Sequence, residues 1–195
     1  MYVIHPMEPQ DLTAFRDLVQ ARARWAAEHG IGGLRRAPGT SGRADAVSVA
    51  MTWEGVLVAA ATAAPAPTGR CGGTALALTR VITRPGPSHG PVSWVLTTWL
   101  ADHAARARFS HLRIQVVPER LAEHLRTNLS WSAYRTSATS DGTVIHHLQR
   151  DAQESPGIHA AVTDKLTPAR TSPPLDCTRL PPVGPRRPTP VGAPG

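Results

Sequence analysis

The chain has 195 residues, of which 41% are hydrophobic, enough for one core of ordinary size. It contains no apolar run long enough to cross a membrane, so the sequence predicts no membrane span. The net charge of +7 would suit an anionic partner, but the arginines are scattered and no basic run is interleaved with aromatic residues, so nucleic-acid binding is not favoured.

The first residues, MYVIHPMEPQDL, do not carry a basic region followed by an apolar block, so no secretory signal is predicted. The two cysteines, Cys71 and Cys177, accompany no cluster of histidine or cysteine. A disulfide scaffold and a metal site are therefore not expected. A reducing cytoplasm is the compartment that fits best.

A short strand and a helix are predicted at the beginning of the chain. The strand is Tyr2 to Ile4, and the helix has Pro9 in its first turn, apolar residues at helical spacing and a stop at Gly30. The loop from Gly30 to Arg43 contains G-x-G-G. Because that loop follows a helix and not a strand, the sequence argues against a dinucleotide fingerprint.

Two β-hairpins are predicted, one on each side of the central part of the chain. The first joins residues 46–53 to residues 56–64 through a tight turn at Glu54-Gly55. The second joins residues 132–139 to residues 143–149 around Asp141-Gly142.

The stretch from Thr74 to Trp131 is the part of the sequence that points to a function. It predicts a strand, a Pro/Gly loop, an amphipathic helix, a strand and a short helix, at residues 74–83, 84–91, 92–108, 111–117 and 119–129. First-turn N–H groups of a helix have no intrahelical partner, and the helix dipole adds positive potential there. A glycine-containing loop that leads into such a helix predicts an anion site.

The predicted order of elements is β α β β β α β α β β. Antiparallel hairpins at both ends bracket a β-α-β unit, which indicates an α/β (α+β) domain with a mixed central sheet flanked by helices. We expect this domain to span residues 1–150.

Residues 151–195 differ from the rest of the chain because they hold 10 of its 19 prolines. They show almost no aliphatic periodicity, so we expect a disordered tail, whose removal would leave thermal stability nearly unchanged. Docking of a partner domain by Pro181 to Pro190 is a less favoured alternative.

The order of elements resembles that of the GCN5-related N-acetyltransferases (the GNAT superfamily). The chain resembles a divergent bacterial member of that superfamily. Pro85 matches the proline of the family's pyrophosphate loop, and Ala122, Leu125 and Trp131 match the end of its last helix in character. The resemblance implies the acyl-CoA N-acyltransferase-like fold and transfer of an acetyl group from acetyl-CoA to an amine of an unknown acceptor. The monomer and the homodimer are both open.

The resemblance also implies where the co-substrate binds. Backbone N–H groups near Leu78 to Val81 would polarise the thioester, and the loop and helix start would hold the pyrophosphate. The implied cofactor-binding residues are Leu78, Val81, Ile82, Thr83, Ser88, His89, Gly90, Val92, Ser93, Trp94 and Arg126. No metal is implied, and no catalytic residue is assigned.

Three departures from the family pattern motivate an alternative function. The loop arginine falls at Ser88, one glycine falls at Pro91, and the tyrosine that often serves as general acid falls at Arg126. Arginine stays protonated at neutral pH, so it cannot supply that proton, although it can stabilise a thiolate. The alternative is a catalytically impaired binding or regulatory protein of the same fold.

Other candidate residues are given plainer interpretations. His103, Trp94 and Trp99 are interpreted as packed residues of the long helix, and Tyr134 is interpreted as a packed sheet residue. His146 and His147 alternate across one strand, so one of them is expected to face inward. A catalytic role for either histidine is not favoured.

Overall fold

The computed structural model describes residues 1–30, 46–66, 74–86 and 91–166. They form one eight-stranded mixed sheet in the order β6-β7-β5-β4-β3-β2-β1-β8, with helices on both faces. The strands are β1 Tyr2–Pro6, β2 Val47–Trp53, β3 Val56–Ala66, β4 Ala75–Thr83, β5 His111–Val116, β6 Ser132–Ala138, β7 Val144–Asp151 and β8 Val162–Asp164. The helices are α1 Leu12–Glu28, α2 Val92–Arg106, α3 Glu119–Leu129 and α4 Ile158–Ala161.

The predicted order from β1 to β7 is confirmed, and local turn chemistry explains why. Glu54 and Gly55 both have positive φ, at 51° and 77°, which is the conformation that a two-residue hairpin loop requires. Gly142 has a φ of 79° in the turn between β6 and β7, and Gly30 has a φ of 63° after α1. The sequence also argued against a dinucleotide-binding fingerprint in the loop that begins at Gly30. Residues 31–45 of that region lie outside the described part of the chain.

Helix α1 packs on one face of the sheet, which we call the α1 face. Leu18 is fully buried there against Ala50, Leu57 and Ala60, and Ile82 packs on the same cluster. These contacts cover β2, β3 and β4. Within the described residues, no helix covers β5, β7 and β6 on this face.

Helices α2 and α3 pack on the opposite face, which we call the α2 face. Trp99 and Leu96 of α2 are completely buried, and Ala122 of α3 is completely buried as well. They join a continuous core with Leu112 of β5 and Leu148 of β7. The larger part of the hydrophobic core therefore lies beneath the helices that cross from β4 to β5 and from β5 to β6.

Strands β4 and β5 are parallel for only four residue pairs. The ladder runs from Ala75↔His111 to Leu78↔Ile114, whereas β4 continues to Thr83. The register between β3 and β4 shifts next to Leu78, where Thr79 is an extra residue, and its Oγ1 donates to the Thr62 carbonyl at 3.2 Å. A bulge bends its strand, so β4 leaves β5 at this point and a gap opens in the middle of the sheet.

The end of the domain lies later than the sequence predicted. Residues 151–166 are folded: β8 pairs in parallel with β1, from Tyr2↔Val162 to Ile4↔Asp164, and Ile158 and Val162 are each 3% exposed. The boundary at residue 150 and the assignment of residues 151–166 to a disordered tail are therefore wrong. Composition could not reveal this segment because it is held by an open sheet edge, by polar contacts and by a few buried apolar side chains that show no periodicity along the sequence. Residues 167–195 lie outside the described residues.

A carboxylate buried in α2 ties this C-terminal segment to the core. Asp102 is 1% exposed, and its Oδ1 accepts the Ser155 N–H at 2.8 Å. Its Oδ2 lies 2.7 Å from the Arg106 guanidinium and 3.3 Å from His159 Nε2. One side chain of α2 thus contacts Ser155, which precedes α4, and His159, which lies within α4.

A second carboxylate, that of Asp164 in β8, reinforces the attachment. Its Oδ2 accepts the Trp99 indole N–H at 3.2 Å, and its Oδ1 accepts the Leu166 N–H at 2.8 Å. The adjacent His103 ring stacks on Trp99 at 5.1 Å, as expected for a packed helix residue. Burial lowers the pKa of His103, and the nearby Asp164 and Asp102 carboxylates oppose that shift in part.

Replacement of Asp102 by alanine is expected to destabilise the fold by about 2–4 kcal/mol, because the Ser155 N–H and the Arg106 guanidinium each lose a partner next to a buried position. Urea unfolding followed by circular dichroism measures this change. Glu123→Ala, at an exposed position of α3, is the control and is expected to change stability by less than about 0.5 kcal/mol. Equal stabilities of the two variants would contradict the role given to Asp102.

Two truncations separate the folded segment from the residues that follow it. A chain that ends at Leu166 is expected to melt close to the full-length protein. A chain that ends at Arg150 exposes the β1 edge and leaves Asp102 buried without Ser155 and His159, so it is expected to melt many degrees lower or to fail to fold. Differential scanning calorimetry compares the three chains, and coincident melting of all three would show that β8 and α4 contribute nothing.

Candidate functional site

The gap between β4 and β5 exposes backbone donors of β4. Arg84 donates its N–H to the Val58 carbonyl of β3 at 2.7 Å. N–H groups of an antiparallel strand alternate between its two neighbours, so those of Val81 and Thr83 are directed away from β3 and toward β5. The β4–β5 ladder has already ended at Leu78, so these two groups face the gap. The side chains of Val81 and Thr83 lie on the α2 face. Their cross-strand partners, Ala61 and Ala59, are both buried in the core of that face.

Helix α2 begins beside the same end of β4. Val95 donates its N–H to the Pro91 carbonyl at 3.0 Å, which makes Pro91 the N-cap and leaves the N–H groups of Val92, Ser93 and Trp94 without intrahelical acceptors. The predicted helix start at residue 92 agrees with the structure, because Pro91, whose ψ of 55° is not helical, lies just outside the helix.

The predicted co-substrate residues separate into two groups in the structure. Leu78, Val81 and Thr83 border the gap, and Val92, Ser93 and Trp94 form the first turn of α2. Ile82 is different because its side chain packs on the Leu18 cluster of the α1 face. Ser88, His89 and Gly90 lie outside the described residues.

Arg126 belongs to a chain of three charged or titratable groups on the α2 face. Its Nη2 lies 3.0 Å from Glu119 Oε1, and Glu119 Oε2 lies 2.8 Å from His146 Nε2. Glu119 belongs to the first turn of α3, and His146 stands opposite Val116 at the end of β5. The guanidinium that the sequence assigned to the co-substrate is therefore neutralised in part by a carboxylate that the sequence did not connect with it.

A second polar group of side chains lies on the α1 face beyond the gap. His147 stands opposite Gln115 of β5 and opposite Arg135 of β6, and its Nε2 lies 2.8 Å from Ser137 Oγ. Burial lowers the pKa of His147, and the positive charges of Arg135 and His146 lower it further. The imidazole is thus held neutral at neutral pH.

Tyr134 and Arg113 complete this group. The Tyr134 ring meets the His147 ring edge-on at 5.9 Å, and the Arg113 guanidinium lies 4.9 Å from the Tyr134 ring centroid. Tyr134 is 42% exposed and occupies a bulge of β6, so its interpretation as a packed sheet residue is wrong. Trp94 is 49% exposed, which also contradicts its interpretation as a packed residue. Arg113 and Arg135 were missed by the sequence analysis, although the alternation of β5 could have pointed to Arg113.

Metal and membrane sites receive no support in the residues that the structure describes. Across residues 1–30, 46–66, 74–86 and 91–166, no three histidine, cysteine, aspartate or glutamate side chains come together as metal ligands. In the same residues, no helix combines the length and the apolar character needed to cross a bilayer.

Comparison with known proteins gives no match to a family model or to a curated protein sequence. Solved structures do match. A protein from Desulfovibrio desulfuricans assigned to the GNAT family of acetyltransferases superposes with a TM-score of 0.57 at 14% identity, over 78% of this chain and 100% of the other. The ribosomal-protein-S18-alanine N-acetyltransferase of Escherichia coli gives 0.52 at 15% identity, over 80% and 96%.

A mutant form of the spermidine N-acetyltransferase of Vibrio cholerae is similar as well, with a TM-score of 0.52 at 9% identity over 77% of this chain and 94% of that one. At such low sequence identities, a structural similarity establishes the fold alone. The chain has the GCN5-related N-acetyltransferase fold.

Proposed function

We propose that this protein is an N-acetyltransferase that moves an acetyl group from acetyl-CoA to an amine. The observation that carries the proposal is the gap beside β4, where two backbone donors have no strand partner among the described residues, adjacent to the first turn of α2, whose N–H groups have no intrahelical acceptor. An extended, amide-containing arm terminated by phosphates needs these two sets of donors in this order. The GNAT-fold neighbours, which are named as acetyltransferases, support the same reaction class.

The residues of this chain would act mainly by binding and orientation. The first-turn N–H groups of α2, with the Ser93 hydroxyl beside them, would hold the pyrophosphate, because donors and dipole favour an anion there. The Val81 N–H would donate to the thioester carbonyl and stabilise the negative charge that develops on its oxygen. A neutral amine would attack the carbonyl carbon, the carbon–sulfur bond would break, and the proton lost by the amine nitrogen would pass to the thiolate or to water.

The leaving thiolate needs a cation or a proton near the α2 face. Arg126 would supply a positive charge, reduced by its contact with Glu119. His146 shares that carboxylate, with its Nε2 2.8 Å from Glu119 Oε2. We therefore place the thiolate near Arg126 and assign no general acid.

The acceptor and the compartment are inferred from the fold neighbours and from the composition. The names of the neighbours give a ribosomal-protein alanine and a polyamine as acceptors, so the fold by itself leaves the acceptor class open. We infer a bacterial cytoplasmic enzyme, monomeric or homodimeric, because the sequence carries only two cysteines and the neighbours of the same fold are bacterial proteins. The alternative is a binding or regulatory protein, which the Arg126–Glu119 contact favours because it weakens the one cation assigned to the thiolate.

The test is calorimetric titration with acetyl-CoA, combined with two substitutions at Ser93. Ser93→Glu adds a negative charge to the first turn of α2, so it is expected to weaken acetyl-CoA binding at least tenfold while leaving the helix slightly more stable, since the dipole favours an anion at this end. Ser93→Asn introduces no charge and is the matched control, expected to bind within a few-fold of the parent. Melting temperatures measured on the same samples separate binding from folding.

Three results would contradict the proposal. Absence of acetyl-CoA binding at millimolar concentration would remove the co-substrate. Binding that is equally strong in the parent and in Ser93→Glu would remove the phosphate site from α2. Binding without release of thiol for any amine would favour the binding or regulatory alternative.

A further inference from the structure

The uncovered half of the α1 face carries two guanidinium groups that no carboxylate of the described residues neutralises. Arg113 makes its contact with the Tyr134 ring, and no described carboxylate lies within ion-pair distance of Arg113 or of Arg135. Arg113 Nε is buried and has no hydrogen-bond partner. Two uncompensated positive charges, one of them with an unsatisfied buried donor, attract an anion to this surface.

Sheet register places these groups beside the gap. Arg113 pairs with Ala77 of β4 one step before the ladder ends, and Gln115 is the first β5 residue after it ends. His147 stands opposite Gln115, and Arg135 stands opposite His147. Neighbouring strands are about 4.8 Å apart, so Arg135 lies roughly 10 Å from β5 across the sheet. A molecule a few bonds long can reach from the gap to either guanidinium.

The neutral side chains between the two arginines suit a small polar ligand. Burial and nearby positive charges lower the pKa of His147, so its ring does not add a third charge, and Ser137 holds one of its nitrogens at 2.8 Å. The Arg113 guanidinium carbon lies 4.9 Å from the Tyr134 ring centroid, a cation–π contact that helps to hold the positive charge in place. The surface thus combines fixed donors with a positive potential.

Resting on the proposed function, we propose that Arg113 and Arg135 bind an acidic group of the acceptor, so that the preferred substrates are amines that also carry a carboxylate or a phosphate-like group. The phosphates of the donor are assigned to the α2 face, at the start of α2. An acceptor on the α1 face reaches the thioester from the opposite side of the gap, which lets both substrates bind together. A polyamine would meet two guanidinium groups and be repelled.

The test uses amines that share an aminoethyl group and differ in what it carries. β-Alanine carries a carboxylate, aminoethylphosphonate a phosphate-like anion, β-alaninamide a neutral amide and ethylenediamine an ammonium group. Acetylation is followed as thiol release by the full-length protein. Arg113→Gln and Arg135→Gln are each expected to raise the KM of the two anionic amines about tenfold or more, and to leave the KM of ethylenediamine unchanged or lower.

Matched controls keep this result specific. Arg120→Gln removes the same charge from an exposed position of α3, on the other side of the sheet, and is expected to leave every KM unchanged. Each amine is compared with itself between parent and variant, so differences in amine basicity cancel. Arg113→Lys keeps the charge but loses the planar guanidinium, so its KM for the anionic amines is expected to lie between those of the parent and of Arg113→Gln. γ-Aminobutyrate has one more methylene than β-alanine between its amine and its carboxylate. Comparison of their KM values shows which spacing between the two groups fits the site better.

A binding measurement keeps this inference separate from the proposed transfer reaction. The Arg113 Nε–H resonance is followed by NMR during titration with β-alanine, with CoA and without it. A shift with β-alanine and none with ethylenediamine supports the anion site, even if acetyl-CoA itself fails to bind and the transfer reaction is wrong. No shift in either titration, or equal effects of Arg113→Gln on anionic and cationic amines, would overturn the proposal.

Discussion

The early end of the ladder between β4 and β5 is the constraint on which the candidate site depends. Four residue pairs hold the strands together, and the extra residue Thr79 then bends β4 away. A sheet that remained paired to the end of β4 would satisfy the N–H groups of Val81 and Thr83 internally and leave no space beside them. The bulge turns two ordinary ladder donors into groups that water or a ligand must satisfy.

Other parts of the fold keep that gap open and separate its two sides. The core of α2 and α3 fixes β5 against β7 on one face, while α1 holds β2, β3 and β4 on the other. The helix dipole of α2 places positive potential on the α2 face. Arg113 and Arg135 place it on the α1 face, where no described helix lies. The arrangement gives each side of the gap its own anion preference, which is the basis for assigning the donor to one face and the acceptor to the other.

The sequence predicted the elements from β1 to β7 because their signals are local. Glu54-Gly55 and Asp141-Gly142 specify their turns by backbone preference, and the apolar residues of α2 recur at helical spacing. The segment from Ser155 to Leu166 was missed because its stability comes from the distant Asp102 and from the β1 edge. Such partners lie far away in the sequence, and no local sequence pattern indicates them.

The candidate site was predictable in part for the same reason. The position of Ser93 at a helix start follows from the strand–loop–helix order, whereas the Glu119 contact that reduces the charge of Arg126 depends on how α3 meets β7. The group around His147 depends on register between three strands. A bulge at Tyr134 brings that ring onto the α1 face, and alternation alone would not place it.

Amide hydrogen exchange of β4 tests the central claim most directly, because it reads the two sides of this strand residue by residue. In the free protein, the amides of Val81 and Thr83 should exchange rapidly, while those of Ile82 and Arg84, which face β3, should be protected. Addition of acetyl-CoA should then slow exchange at Val81 and leave Arg84 unchanged. Protection of Val81 and Thr83 equal to that of Ile82 in the free protein would contradict the open gap, and with it the account of the site.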